Sequence, residues 1–351
     1  MAPLTLVRMT PTMRTAARPG GPAETAPPAK MTSDFDFLVG TFDVVNRQLT
    51  RPLTGSREWE QFPATAVARA HLDDAVSIDE MHFPTKRFFG MSIRLFDPEA
   101  KEWTVYWVDS RTGTLQPPVR GRWVDGVSLF FGDDEHDGKP VRASYRWSEV
   151  TESSARWEQA FSADDGQTWE TNWVMEWTRR AAEPEDPRLP MPTDDFDFLV
   201  GRWKVSHRRL SAPMSGSDDW SEFSGTAVAR TYFNGGVSID EFHFPTLGSR
   251  GLTVRLFDPR ARTWSIYWLS SRDGRLQPPV HGGFDGGIGE FYGDDVHGGR
   301  AVRVRYLWSN ISERSARWEQ AFSADGGEIW ETNWQMNLTR TAHDPDGRHV
   351  A

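Results

Sequence analysis

A duplication limits what this chain can fold into more than any other feature. Residues 34–180 and 195–341 align without a gap at a fixed offset of 161, and roughly 80 of the 147 aligned positions are identical. Asp34–Gly40 (DFDFLVG) returns at Asp195–Gly201, Val76–Glu80 (VSIDE) at Val237–Glu241, and Arg94–Pro98 (RLFDP) at Arg255–Pro259. Leu115–Val119 (LQPPV), Ser154–Asp164 (SARWEQAFSAD) and Trp169–Trp173 (WETNW) return at Leu276–Val280, Ser315–Asp325 and Trp330–Trp334. Solenoids and propellers repeat every ~20–50 residues, so this period means two whole domains rather than an array. The length of 351 residues suits two domains of ~100–150 residues with tails. The opening residues are rich in Pro, Ala and Thr, and the stretch AAEPEDPRLPMP between the copies carries four prolines. The expected division is a disordered N-terminal segment (1–30), a first domain (31–180), a linker (181–194), a second domain (195–341) and a flexible tail (342–351).

Strand signals fill each copy. Val302, Val304, Tyr306 and Trp308 fall on one face of a strand with Arg303 and Arg305 on the other, and Trp264, Ile266 and Trp268 alternate with Ser265 and Tyr267. Turn pairs such as Asp97-Pro98, Asp137-Gly138 and Gly326-Gly327 punctuate the runs. About eight to ten short strands per copy are expected, with one helical turn at Phe35–Val39 and its counterpart Phe196–Val200. Many short strands at hairpin spacing make a sandwich or a barrel, and a barrel leaves no open edges.

Composition excludes several functions. There is no cysteine, hence no disulfide framework, thiolate metal site or cysteine nucleophile, which suits a reducing cytoplasm. The net charge of −10 and the scattered basic residues speak against nucleic acid as a partner. No apolar run approaches the ~18 residues of a membrane-spanning helix. Asp133, Asp134 and His136 have the chemistry of metal ligands, but they sit in a turn where such residues are common, so no metal is expected. Ser162, Asp164, Gly166, Thr168 and Trp169 match the Asp-box pattern of sialidases, read here as a structural hairpin turn.

Three sets of residues could carry chemistry. On the strand Val76–Pro84, Ile78, Glu80 and His82 share one face, as do Ile239, Glu241 and His243 in the second copy. A carboxylate beside an imidazole suits general acid–base work, so Glu80, His82, Glu241 and His243 are candidate catalytic residues if that face lines the lumen. Arg94 and Arg255 could bind a carboxylate or enolate oxygen through a fork of donors. Trp107, Tyr145, Trp157 and Trp173, with Trp268, Tyr306, Trp318 and Trp334, are candidates to line a lumen for an apolar or aromatic ligand.

The triplet Gly201-Arg202-Trp203 resembles the Gly-x-Trp signature that opens the first strand of lipocalins and other calycins; the first copy has Phe42 in place of Trp. The run FDFLVG, VSIDE-x-HFP, RLFDP, W-x-x-YW, LQPPV, FxGDD and ARWEQAFS is similar to a bacterial family of calycin-like domains of unknown function related to nitrobindins. The resemblance implies an all-β fold of two tandem calycin/lipocalin-like antiparallel β-barrels, with an aromatic plug in each floor. Their tandem arrangement also resembles carotenoid hydratases and two-domain pericyclases in architecture alone.

The expectation that follows is a tandem barrel binding small apolar molecules, with the barrels packed on each other. As an enzyme it is expected to be a cofactor-independent cyclase, isomerase or hydratase/dehydratase of a polyketide- or terpene-like substrate in secondary metabolism, using acid–base residues in the lumen. A non-catalytic carrier is the alternative. Haem binding in the nitrobindin manner is the weaker reading, because the closing strands Trp169–Thr178 and Trp330–Thr339 contain no histidine. No cofactor is expected. Asp109 against Ser270, and Arg87-Phe88-Phe89 against Gly248-Ser249-Arg250, predict two similar frames with unequal mouths.

Overall fold

A computed structural model of the chain describes residues 32–181 and 192–342. The expected N-terminal segment, most of the linker and the tail lie outside the described residues. After a 3-10 turn at Asp36–Leu38, the first copy runs through β1 (Gly40–Leu49), β2 (Trp59–His71), β3 (Val76–Phe83), β4 (Phe88–Asp97) and β5 (Glu102–Asp109). It continues through β6 (Val119–Val124), β7 (Val127–His136), β8 (Lys139–Ser148), β9 (Ser154–Ser162) and β10 (Glu170–Arg179). The second copy has its turn at Asp197–Leu199. Its strands are β11 (Gly201–Leu210), β12 (Trp220–Tyr232), β13 (Val237–Phe244), β14 (Ser249–Asp258) and β15 (Thr263–Ser270), then β16 (Val280–Asp285), β17 (Ile288–His297), β18 (Arg300–Ser309), β19 (Ser315–Ser323) and β20 (Glu331–Ala342). Every strand pairs antiparallel with its neighbours in sequence. β1 closes the first barrel on β10, and β11 closes the second on β20. The chain is therefore two closed ten-stranded barrels, the tandem calycin-like arrangement.

The floor of each barrel is sealed by the 3-10 turn and aromatic rings. Phe35 meets Trp103 edge-on at 4.8 Å, and the Trp103 indole donates to Asp34 Oδ2 at 2.9 Å. Phe42 and Trp203, the expected plugs, are each 1% exposed. Outside them, Arg179 lies over Phe42 at 4.7 Å and donates to Val39 O and Phe37 O, while Arg340 lies over Trp203 at 4.2 Å. Gly40 begins β1 at φ +128, and a Cβ there would come 2.5 Å from Arg179 Nη1, so the seal requires glycine.

Alternation assigns the faces. Met81 and Phe83 of β3 and Phe88 of β4 join the core inside the first barrel, whereas Val76, Ile78, Phe89, Met91, Ile93 and Leu95 point outward. That outward face is as apolar as the core because the second barrel covers it: Phe233, Val237, Ile239, Leu252, Val254 and Leu256 pack there. A strand buried on both faces reads as a continuous apolar run, as MSIRLF in β4 largely does.

The barrels pack head to tail. The loop beyond the open end of β5 reaches the base of the second barrel, where a Cβ on Gly113 would meet Phe257 O at 1.8 Å. The matching loop after β15 reaches the base of the first, where a Cβ on Gly274 would meet Phe96 O at 2.2 Å. Arg275 Nη2 donates to Asp97 Oδ2 at 2.7 Å across this junction. Backbone bonds from Ala100 and then the Arg275 guanidinium hold the Asp97 carboxyl below its ordinary pKa.

Candidate functional site

Each barrel encloses a cavity open at the end opposite its floor, of about 650 Å³ in the first and 660 Å³ in the second. The strands deliver aromatic rings to these cavities at alternate positions. In the first, Tyr145 and Trp157 sit 5.2 Å apart, Trp157 and Trp173 5.8 Å, and Trp173 and Trp107 6.2 Å. In the second, Tyr306 and Trp318 are 5.0 Å apart, Trp318 and Trp334 5.8 Å, and Trp334 and Trp268 6.2 Å. All six contacts are edge-to-face, a geometry that aromatic quadrupoles favour. All eight aromatics named from the sequence therefore lie on the two cavity walls and form one continuous band in each. Burial pushes the Tyr145 and Tyr306 phenols up, so both stay protonated hydrogen-bond donors at neutral pH.

Deeper in each cavity stands an arginine. Arg94 and Arg255 are each 3% exposed. Arg94 pairs with Asp79, and Arg255 Nη2 donates to Asp240 Oδ2 at 2.6 Å. Arg94 also rests over Phe35 at 5.1 Å and Trp147 at 5.8 Å, and Arg255 over Phe196 and Trp308 at 4.9 and 5.8 Å. Removing such a charge from water is costly unless it is paired, and Asp79 and Asp240 supply the counter-charge. Arg94 Nε and Nη1, and Arg255 Nε, have no hydrogen-bond partner among the described residues. The Asp79 oxygens and Asp240 Oδ1 beside them are likewise buried without a hydrogen-bond partner among the described residues. Asp79 and Asp240 were not singled out from the sequence, although alternation puts them on the face opposite Glu80 and Glu241.

The candidate acid–base residues stand elsewhere. Glu80, His82, Glu241 and His243 lie on the outward face of β3 and β13, so the expectation that they act within the lumen is corrected. Glu80 Oε1 accepts from the Phe233 amide at 2.7 Å. Glu241 Oε2 lies 3.3 Å from His71 Nδ1, and its Oε1 accepts from Arg250 at 3.2 Å. The physical reason is coverage: these carboxylates meet the turns of the opposite barrel, and the Glu241 pKa is depressed by His71, Arg250 and the Leu72 amide although burial opposes them. Leu72 and Phe233 hold equivalent places in the two copies, so the two glutamates perform one role twice. His82 lies tilted against Phe89 at 5.1 Å, and His243 is exposed.

A buried histidine escaped the sequence reading. His207 is 2% exposed, stacks on Phe223 at 4.6 Å and accepts from the Trp334 indole at Nδ1, 3.3 Å away. Burial pulls its pKa down to about 4. In the first barrel Asn46 Oδ1 accepts the equivalent bond from Trp173 at 3.0 Å. The Asp-box residues form the expected turn: Asp164 accepts from the Thr168 hydroxyl at 2.6 Å, its amide at 2.8 Å and Ser162 Oγ at 2.7 Å, which pulls its pKa down to about 2. Among the described residues, no group of three His, Asp or Glu side chains could hold a metal ion. Nor is any described helix long and apolar enough to cross a membrane.

Fold and cavities together define a tandem β-barrel protein with two internal chambers. No protein-family model matches the sequence, and no curated protein matches it. Among solved structures, it is similar to a protein of unknown function from the DUF3598 family of Nostoc punctiforme, at 11% identity over 88% of this chain and 98% of that one, with a TM-score of 0.25. It is also similar to a variant of transferrin binding protein B from Haemophilus parasuis, at 9% identity over 86% of this chain and 76% of that one, with a TM-score of 0.20. Likenesses this distant carry no argument about function.

Proposed function

We propose that each barrel binds one small, largely apolar molecule, its body against the aromatic band and an oxygen acceptor against Arg94 or Arg255. The observation that carries this reading is an aromatic-walled chamber of about 650 Å³ whose lining includes a buried arginine, Arg94. Cavities of ~300–1,000 Å³ with a few placed polar groups are typical of small-molecule sites. The test is calorimetric titration of the whole chain with 2-naphthol, an aromatic body bearing one oxygen. Saturable binding at two sites per chain is expected, weakened about ten-fold or more at one site by Trp107→Ala. A heat trace without saturation would refute the reading.

A catalytic reading has one observation in its favour. Burial pushes the Asp134 carboxyl up, and Asp134 lines the same cavity as Tyr145. A cofactor-independent cyclase, isomerase or hydratase would then use Asp134 as its acid–base residue and Arg94 to hold an enolate oxygen. Asp134→Asn would abolish turnover while leaving 2-naphthol binding intact; retained turnover excludes that role.

A further inference from the structure

We propose that the two barrels select different head groups: the second takes amphiphiles with an anionic head, a carboxylate or a phosphate, and the first takes neutral ones. This rests on the reading of both chambers as binding sites. The difference lies at the mouths. In the first barrel the mouth cations are neutralised: Lys86 Nζ is 2.6 Å from Glu60 Oε2, and Arg111 grips Asp109 with Nη2 at 2.5 Å and Nε at 3.1 Å from both oxygens. Aligned with Lys86, Glu60, Asp109 and Arg111 in the second barrel are Leu247, Ser221, Ser270 and Arg272. The arginine is kept while its carboxylate is lost. A further arginine, Arg209, replaces Gln48.

Neither Arg209 nor Arg272 forms an ion pair among the described residues. Arg272 Nη2 donates to Leu247 O at 2.8 Å, and Arg209 lies over Trp334 at 4.8 Å. They stand close enough that the charge of Arg272, after partial desolvation, helps hold Arg209 below its ordinary pKa. The charged lining follows suit: three Lys or Arg against four Asp or Glu in the first chamber, five against three in the second, a change from −1 to +2. Arg250 and Arg275 are engaged by Asp73 and Glu241 and by Asp97, and the deep Arg255 by Asp240, which leaves Arg209 and Arg272 available. The acid added at the second mouth, Asp273, stands where the first has Thr112, and its Oδ1 accepts from the Arg275 amide at 3.4 Å.

Trp334 joins the two halves of such a site. It belongs to the aromatic band and also lies beneath the Arg209 guanidinium, so an apolar chain laid along the band brings its head to that cation. A guanidinium fork suits both carboxylate and phosphate oxygens.

The experiment compares dodecanol, dodecanoate and dodecyl phosphate by calorimetry on the whole chain at pH 7.5. One site per chain is expected to bind dodecanoate or dodecyl phosphate about ten-fold or more tighter than dodecanol; whichever anion binds tighter names the head group. The variant Arg209→Gln/Ser270→Asp, which copies the first mouth, is expected to erase that preference and leave dodecanol affinity within about two-fold. The reciprocal Gln48→Arg/Asp109→Ser is expected to create the same preference in the first barrel, and it decides the matter if the former variant fails to fold. Equal affinity for all three probes, or an anion preference unmoved by these substitutions, overturns the proposal while dodecanol binding leaves the chamber reading standing. If none of the three binds, the chamber reading falls and this proposal with it.

Discussion

His207 and Asn46 occupy the same position and accept the same indole bond, yet only one of them titrates. With Nδ1 accepting, the neutral ring carries its proton on Nε2. The pKa of His207 falls from 6.5 to about 4 in the fold, so the unfolded chain takes up its proton first as the pH drops. The stability tied to this neutral ring is fully present above pH 6.5 and is lost as the pH falls towards 4. A depression of this size corresponds to about 3 kcal/mol. Denaturant melts between pH 7 and 4 should show that loss, and His207→Asn, which copies the first barrel, should remove its share. An unchanged pH dependence in the variant would show that His207 is not the titrating group. At this scale the sequence was legible in pattern but not in direction. The period-2 rule grouped Glu80 with His82 correctly, but could not say that their face meets another barrel. The apolar outward set Phe89, Met91, Ile93 and Leu95 is the signal that decides it, because an outer strand face of that kind must be covered.

The elements were easier to anticipate, because alternation, turn residues and the duplication all agree on them. The short strands, the two copies and the candidate wall aromatics follow from pattern, whereas the barrels and their aromatic plugs are what the calycin resemblance implies. The seam between β5 and β6 follows from neither. Only Trp103, Thr104 and Val105 pair across it, with Gly121, Arg120 and Val119, whereas β7 and β8 share nine pairs. Pro117 and Pro118 precede β6 and have no amide to donate, so the ladder stops there and the chain swings over the mouth. Gln116 and Asp109, both at this corner, line the first cavity. Amide exchange should therefore be faster in the β5–β6 ladder than between β7 and β8, and it should slow when the chamber is filled. Equal protection across the two ladders would contradict a weak seam. A bulge between Thr171 and Trp173 was equally hidden; it turns Asn172 inward, where its Oδ1 accepts from Gln159 at 2.8 Å.

For the whole molecule, the junction between barrels is the main constraint. Gly113 has φ +62 and abuts the Phe257 carbonyl; Gly126 has φ +78 and faces open space. Gly113→Ala should lower stability by about 2 kcal/mol or more, combining backbone strain with a lost approach between barrels. Gly126→Ala carries the strain alone, at about 1 kcal/mol. Thermal melts of the two variants measure the difference, and equal losses would mean that the junction tolerates the intrusion. Sequence comparison of the copies could not reveal this contact, because Gly113 and Gly274 match each other and therefore look like shared scaffold.

The head-to-tail junction has a further consequence. Each mouth lies beside the other barrel's floor, so the two openings face opposite ways with two sealed bases and a shared wall between them. Cargo released by one chamber must cross bulk water to reach the other. A single flat surface, such as a lipid layer, can present material to one opening at a time, and turning the molecule over exchanges which chamber is loaded.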